Sequence, residues 1–322
     1  MSDSCAVRLC FVSGHEFGHG TLQSVLESDE HRSGLITVTL VMSLDDFCRS
    51  RTVGYACFDD LAARAEVENI RVTDATLVAH YSQIAAAEPD YLLVIGWSRL
   101  IPPKILDLPA KIKGVKNRHS AGHGCIGMHP SPLPVGRGRA PIPWSIIKGL
   151  RTTALSVFLL EEQADNGPII MQLPVTIGAA ETATTLFERF STLHYRAGRL
   201  LAPVLARRQL SATPQNETEA TVWPRRRPRD GHIDFNQDCQ SIERLVRALA
   251  RPYPPATFCY ETHEVEVFAV RPHAVRPVAR PGTVIGLAAN GHPLVATKDG
   301  AVELLAFRGD APLAFAVGGI CS

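Results

Sequence analysis

A histidine and an aspartate lie at positions from which they could act as a catalytic pair. His129 follows a short apolar run and enters a proline-rich loop, and Asp165 lies in the next long loop. Open α/β sheets place their functional side chains at the carboxyl ends of strands. A carboxylate beside an imidazole raises the imidazole pKa and orients the ring, so that it can take a proton from an attacking amine. The alternative is that both are structural residues on loops.

The elements that must position this pair alternate between strand-like and helix-like segments. A short apolar run over residues 6–13 ends at Gly14 and predicts a buried strand that feeds a helix beginning near Thr21. The same alternation continues in strands at 35–42, 91–95, 154–160 and 169–175 and in helices at 59–68, 75–87 and 181–208. This pattern predicts a doubly wound, parallel, Rossmann-like α/β domain over residues 1–205.

The remaining sequence predicts a linker and a second domain. Residues 206–228 are polar, lack a sustained apolar period and include the basic run Arg225-Arg226-Arg227. Beyond them, one helix over 241–249 precedes short strand-like runs separated by glycine, proline and Asn-Gly. That rhythm is typical of a small β-barrel, so residues 229–322 are predicted to form an OB-like barrel domain.

The composition excludes several classes of protein. Of the 322 residues, 45% are hydrophobic and 20% are charged, and the formal net charge is +1, so no global charge favours nucleic acid. No run of about 18 apolar residues and no leader pattern is present, which predicts a cytoplasmic protein without a membrane partner. The eight cysteines are scattered and predict reduced thiols and no metal site. No pattern specifies an oligomeric state.

The segments around His129 and Asp165 resemble the folate-dependent formyltransferases, which include methionyl-tRNA formyltransferase and the amino-sugar N-formyltransferases. That family has an Asn-x-His motif before a Leu-Leu-Pro-like turn and an Asp-x-Gly loop downstream. Its catalytic histidine and aspartate fall on His129 and Asp165 of this sequence. Residues 133–144 are most similar to the amino-sugar branch, and residues 226–235, 245–254 and 281–283 are similar to the family's barrel domain.

The resemblance implies an activity and a set of contacts. The expected reaction moves a formyl group from 10-formyltetrahydrofolate, the co-substrate, to a primary amine of a small molecule such as an amino sugar or a specialised-metabolite precursor. Methionyl-tRNA is a less favoured acceptor. Residues expected to contact the folate are Trp97, Arg99, Leu100, Ile101, Glu161, Ala164 and Asp165. Residues expected to contact the acceptor are His15, Glu16, Phe17, Arg137 and Arg139.

Gly127 stands where the family has its catalytic asparagine. That asparagine donates a hydrogen bond to the developing oxyanion, and loss of one such donor costs about 10²–10³ in rate. Three explanations stay open: another donor (Asn166, His123, Ser131 or Asn117) replaces it, the histidine and a water suffice, or formyl transfer has been lost. An unusual insertion over residues 111–122 could bring Asn117 or His123 inward, or form a solvated basic loop.

Other interpretations of the sequence compete with this one. The Gly14–Gly20 segment lacks the glycine spacing of a dinucleotide-binding loop. The run Arg225-Arg226-Arg227 could bind phosphate or tRNA, or form a solvated face. The alternative activities are hydrolysis of formyltetrahydrofolate, transfer of a formimidoyl or carbamoyl group, and folate binding without turnover.

Overall fold

The computed structural model describes residues 6–73, 77–109, 124–273, 279–309 and 314–322. By their contacts the residues form two compact units. The first comprises Met1–Pro141, Thr152–Val175 and Glu188–Trp223, and the second comprises Ile142–Arg151, Thr176–Phe187 and Pro224–Ser322. The domain boundaries expected from the sequence, at 205 and 228, stay a prediction.

The described strands of the first unit form a main mixed sheet and a separate pair, β6 and β9. In chain order they are β1 (Val7–Ser13), β2 (Ile36–Leu44), β3 (Asn69–Val72), β4 (Tyr91–Ile95), β5 (Cys125–His129), β6 (Arg137–Gly138), β7 (Thr152–Leu159), β8 (Ile169–Thr176) and β9 (Val222–Trp223). Within the described residues, the main sheet has the order β3-β2-β1-β4-β5-β7-β8. Every residue of β4 and β5 is buried, as expected for central strands covered on both faces.

The direction of β7 differs from the prediction. Strands β1 to β5 of the main sheet pair in parallel, whereas β7 runs antiparallel to β5. The Rossmann-like α/β fold class is therefore confirmed, and the expectation of a wholly parallel sheet is wrong at β7. The antiparallel register places Ser156, in the middle of β7, opposite His129 at the end of β5.

Helices connect these strands and continue into the C-terminal part of the chain. They are α1 (Glu16–Leu26), α2 (Asp29–Arg32), α3 (Asp59–Arg64), α4 (Tyr81–Ala86), α5 (Pro103–Leu106), α6 (Pro141–Ile147), α7 (Ala183–Ala206) and α8 (Cys239–Ala248). Helix α1 begins five residues before the expected Thr21, because the His15 side chain accepts a hydrogen bond from Phe17 N and caps the helix. None of the helices in these described segments has the length and apolar character that a membrane span requires.

The second unit contains an antiparallel sheet of five strands among its described residues. These are β10 (Ala256–Tyr260), β11 (His263–His273), β12 (Val284–Leu287), β13 (Pro293–Ala296) and β14 (Ala301–Gly309), in the order β10-β11-β14-β13-β12. Bridges join Cys321 to Tyr260 and Ile320 to Thr283, so the C-terminal residues link both edges of the sheet. Helix α8 packs Ile242 and Val246 into the core of this unit, whose closed form agrees with the expected barrel.

Candidate active site

His129 is the last residue of β5 and only 7% of its surface is exposed. Its Nε2 lies 2.9 Å from the carbonyl oxygen of Gly136. A carbonyl can only accept a hydrogen bond, so Nε2 carries the proton in the neutral ring and Nδ1 keeps its lone pair. The position of the ring therefore makes Nδ1 the atom that can take a proton.

Gly136 holds its carbonyl toward the histidine through a backbone that requires glycine. Its φ is +81°, and a Cβ there would lie 2.7 Å from the indole of Trp223. Gly136 N donates to Thr221 Oγ1 at 2.9 Å, and β6 pairs with β9 next to it. Residues of the predicted linker thus hold the loop that orients His129.

Asp165 places a carboxylate beside the free nitrogen of the histidine. Its Oδ2 lies 3.8 Å from His129 Nδ1 and accepts a hydrogen bond from Gly138 N at 2.8 Å. This separation is longer than a hydrogen bond, so Asp165 does not engage Nδ1 while the histidine is neutral. Once Nδ1 has taken a proton, the nearby carboxylate stabilises the positive charge. The sequence predicted this pair, and the structure brings its two members together.

A network behind Asp165 keeps it in place. Asp165 has a left-handed backbone, with φ +56°, and its carbonyl oxygen accepts a hydrogen bond from Gln215 Nε2 at 2.8 Å. The same nitrogen donates to Gly167 O at 2.7 Å. Because a non-glycine residue rarely adopts a positive φ, these bonds stabilise a conformation that the loop would otherwise leave.

Arg137 completes this network. Its Nη2 donates to Gln215 Oε1 at 2.8 Å and to Glu217 Oε1 at 2.7 Å, and its side chain is almost wholly buried. The hydrogen bonds and charge of Arg137 lower the pKa of the Glu217 carboxyl. The guanidinium is therefore engaged by Gln215 and Glu217, and its expected contact with the acceptor stays a prediction.

The loop after His129 is fixed from the opposite side by β7 and β8. Ser156 Oγ donates to Ser131 O at 2.6 Å, and Gln172 Nε2 donates to Leu133 O at 2.8 Å. The hydroxyl of Ser131 is buried and has no hydrogen-bond partner. This leaves one polar group without a partner two residues from His129.

Leu160 occupies the space beside Gly127. A Cβ built on Gly127 would lie 2.6 Å from Leu160 Cδ2 and 3.3 Å from Phe158 Cε1. Carbon atoms in contact are normally about 3.5–4.0 Å apart, so no side chain fits at 127 unless Leu160 moves. The missing asparagine is thus accompanied by a leucine that fills its place.

The residues expected at the folate lie on two neighbouring loops. Trp97 is half-buried against a core cluster, Ile101 is buried, and Arg99, Leu100 and Ala164 are exposed. Arg139 donates from Nη2 to the Ser98 carbonyl. A cavity of about 270 Å³ adjoins the second loop, and it is lined by Pro103, Leu106, Asp107, Glu161, Glu162, Gln163 and Asn166.

On the predicted acceptor side, two histidine rings contact one phenylalanine: His194 is stacked on Phe17, and His15 is tilted against it. Phe17 lies 4.4 Å from His15 and 4.2 Å from His194, measured between ring centroids. Burial lowers the pKa of His15 to about 4 and that of His194 to about 3. The electrostatic effect of His129 also lowers the pKa of His194, so these two imidazoles lie close enough to interact. Glu16, beside them in the sequence, is exposed.

Several residues of this site were not identified from the sequence. His194 lies inside a long amphipathic helix with no neighbouring motif, and Gln215 lies in a segment interpreted as linker. Of the four donors considered for the oxyanion, His123 and Asn117 lie outside the described residues, as does the 111–122 insertion. Asn166 donates to Gln163 Oε1 at 3.3 Å, and its own Oδ1 is buried without a partner. Within the described part of the chain, no group of three His, Cys, Asp or Glu side chains converges as metal ligands.

Comparison with known proteins agrees with this geometry. The family described as formyl transferase matches residues 10–198, which is more than half of the chain, and the formyl transferase C-terminal domain matches residues 226–311. The chain belongs to the formyl transferase family. It is therefore a folate-dependent one-carbon transferase, and formyltetrahydrofolate, which this family uses, is confirmed as the expected co-substrate.

Individual relatives of this formyltransferase differ in their acceptors. It is 29% identical to the methionyl-tRNA formyltransferase of Thermodesulfovibrio yellowstonii over 69% of this chain and 67% of that protein. Two solved structures share its fold. HypX from Aquifex aeolicus has a TM-score of 0.58 and 20% identity over 95% of this chain, which spans only 46% of HypX. An N-formyltransferase from Helicobacter canadensis, solved with folinic acid and dTDP-3-aminofucose, has a TM-score of 0.63 and 12% identity over 92% of this chain and 98% of that one.

Proposed function

We propose that this formyltransferase moves the formyl group of 10-formyltetrahydrofolate to a primary amine of a small molecule, either an amino sugar or a precursor of a specialised metabolite. The observation that carries the proposal is the pair formed by His129 Nδ1 and Asp165 Oδ2 at 3.8 Å. The pair lies at the end of a central strand, where α/β folds of this class bind substrates.

In the proposed mechanism, the acceptor amine attacks the formyl carbon, and a new carbon–nitrogen bond forms as the carbonyl oxygen becomes an oxyanion. His129 Nδ1 takes the proton that the amine loses, while Nε2 keeps its hydrogen bond to Gly136. The imidazolium is stabilised by Asp165. When the bond to the folate nitrogen breaks, the same proton passes from Nδ1 to that nitrogen, so the histidine is neutral again.

The cavity beside the 161–166 loop fits the polar edge of a pterin. Its lining includes the carboxylates of Asp107, Glu161 and Glu162, and Asn166 Oδ1 is a buried acceptor without a partner. A pterin edge presents N–H donors, which these acceptors would satisfy. We expect Trp97, Arg99, Leu100, Ile101 and Ala164 to contact the remainder of the folate, as the family resemblance implies.

Ser131 is the group that we propose as donor to the oxyanion in place of the asparagine missing at 127. Its hydroxyl is buried without a partner and follows His129 by two residues. Leu160 occupies the space that a side chain at residue 127 would need. An unpaired buried hydroxyl costs free energy, which a bond to a developing oxyanion would recover in the transition state.

The acceptor is proposed to be small because the chain carries a net charge of only +1 and because Arg137 is already engaged by Glu217. His15, Glu16 and Phe17 would contact it, with Arg139 as the proposed cation. The relative from Thermodesulfovibrio yellowstonii favours a second candidate, methionyl-tRNA, which a direct assay separates from the first.

The test measures release of tetrahydrofolate from 10-formyltetrahydrofolate by absorbance, with amino-sugar nucleotides, hydroxyornithine, methionyl-tRNA or no acceptor. Release that requires a small amine supports the proposal, and release that requires methionyl-tRNA supports the second candidate. Equal release without any acceptor identifies a hydrolase and contradicts both. Folate binding without release under any condition would contradict catalysis itself.

A further inference from the structure

Helix α8 presents a polar stripe opposite the face that it buries. Gln240, Glu243, Arg244 and Arg247 follow each other at helical spacing and line a cavity of about 730 Å³ within the second unit. Residues at i, i+3, i+4 and i+7 share one side of a helix. The volume falls within the range of about 300–1,000 Å³ that is typical of small-molecule sites.

The charges of this cavity do not cancel. Arg247 donates from Nε to Glu243 and from Nη1 to the Glu181 carbonyl, so one cation and the carboxylate of Glu243 compensate each other. Arg151, which also lines the cavity, and Arg244 form no ion pair with any described residue. Among the residues that line the cavity, two positive charges therefore remain. Outside that lining, Ser241 bridges Arg244 to the carboxylate of Asp238, and the hydrogen bonds of Ser241 together with the charge of Arg244 lower the pKa of Asp238.

Arg244 is held in position while its Nε stays without a partner. Its Nη2 donates to Ser241 Oγ at 2.9 Å, which orients the guanidinium, but its Nε is buried without an acceptor. Asp238 also uses Ser241, and its carboxylate caps the start of α8 through Ser241 N. A buried donor left unpaired is unfavourable, and a bound anion would supply the missing acceptor.

Gly149 lies against Arg244 at the wall of the cavity. Arg244 Cδ and Nε lie 3.4 and 3.7 Å from the place where a Cβ of residue 149 would be. Gly149 also has φ +65°, which favours glycine. A Cβ at residue 149 would therefore make an ordinary van der Waals contact with Arg244, and it is the positive φ that favours glycine there.

We propose that this cavity, which we call the Arg244 cavity, binds the phosphate group of a small phosphorylated molecule. Two guanidinium groups without a direct ion pair match the charge of about −1.5 to −2 that a phosphate monoester carries at neutral pH. Their planar donors suit the oxygens of that group. The site uses none of the residues assigned above to formyl transfer, so it stands apart from that activity.

The experiment is calorimetric titration of the full chain with inorganic phosphate, glycerol phosphate and acetate, with sodium chloride holding the ionic strength constant. Saturable binding of phosphate or glycerol phosphate in preference to acetate is expected. Tighter binding of the ester would identify an organic phosphate as the ligand, and equal binding would identify free phosphate. Absence of saturable phosphate binding by the wild-type chain would overturn the proposal.

Variants locate the binding site. Arg244→Gln should weaken phosphate binding about ten- to hundredfold, because one charge-assisted hydrogen-bond donor group is lost. Arg244→Lys should bind with intermediate strength, and Arg151→Gln provides a second loss of charge, at an exposed position. The matched control is Arg308→Gln, an exposed arginine on β14 paired with Glu266. Equal phosphate affinity in wild type, Arg151→Gln and folded Arg244→Gln would place binding elsewhere and refute the Arg244 cavity.

Discussion

Introduction of the family's asparagine at Gly127 should be harmful while Leu160 is present and tolerated when Leu160 is shortened. The Cβ of a residue at 127 would lie 2.6 Å from Leu160 Cδ2, about 1 Å inside a normal carbon contact. The double variant Gly127→Asn/Leu160→Ala removes that overlap. The next contact, to Phe158 Cε1 at 3.3 Å, requires only a small adjustment.

The magnitudes follow from this geometry. Overpacking of a filled site costs about 1–3 kcal/mol in the free energy of unfolding, so Gly127→Asn alone should lose that amount. Leu160→Ala alone should cost about 2 kcal/mol or less, the lower end for leucine truncation, because Leu160 is only partly buried. With Leu160 shortened, the added cost of the asparagine should fall by about 1–2 kcal/mol, which is a measurable coupling between the two sites.

The assay is urea unfolding of the four proteins in this cycle, with tetrahydrofolate release measured on the same samples. Leu100→Ala serves as the control background, since Leu100 is exposed and should leave the cost of Gly127→Asn unchanged. Equal destabilisation by Gly127→Asn in the wild-type and Leu160→Ala backgrounds would refute the claim that Leu160 fills the asparagine site. A rise in turnover of the double variant over Leu160→Ala would indicate that the restored amide reaches the oxyanion.

Three further outcomes follow from the site. Asp165→Asn should fold normally, because asparagine tolerates the φ of +56°, but should lower kcat about 10²-fold or more, and wild-type kcat would contradict the role of its charge. Ser131→Ala should lower kcat about 10²–10³-fold with little change in KM, whereas a change in KM alone would remove Ser131 as oxyanion donor. The stability of the protein should fall as the pH drops from about 6.5 toward 4, because His15 and His194 stay neutral in the folded chain while their unfolded counterparts bind protons. His194→Phe keeps the stack on Phe17 and should reduce that slope by up to about 1.4 kcal/mol per pH unit in urea titrations; an unchanged slope would contradict the assignment.

The parts of the fold that local pattern determines could be predicted. Strand β4 has the expected bounds because an unbroken apolar run of five residues between Asp90 and Gly96 has few alternatives. Helix α7 was expected over 181–208 and spans Ala183–Ala206. The proximity of His129 and Asp165 was also expected, since strand ends in an open α/β sheet lie along one edge.

The remaining features depend on contacts between residues far apart in the sequence. Leu160 lies beside Gly127, and Arg137 pairs with Glu217 across 80 residues. In neither pair does the sequence around one residue indicate which residue it contacts. The segment that contains Gln215 is interpreted from the sequence as a polar linker because it lacks a sustained apolar period. In the structure, the side-chain amide of Gln215 donates a hydrogen bond to the Asp165 carbonyl oxygen. The reversal of β7 likewise leaves no local signal, because a buried strand has the same apolar pattern in either direction.

The central claim is that His129 accepts the amine proton in formyl transfer to a small molecule. The most direct measurement compares amine-dependent tetrahydrofolate release by the wild-type protein and by His129→Gln, with folate binding and circular dichroism measured on both. The account predicts release by the wild type with a small amine, and loss of about 10²–10⁴-fold in the variant with folate binding and fold retained. Release by His129→Gln at the wild-type rate, with the same amine, would contradict it.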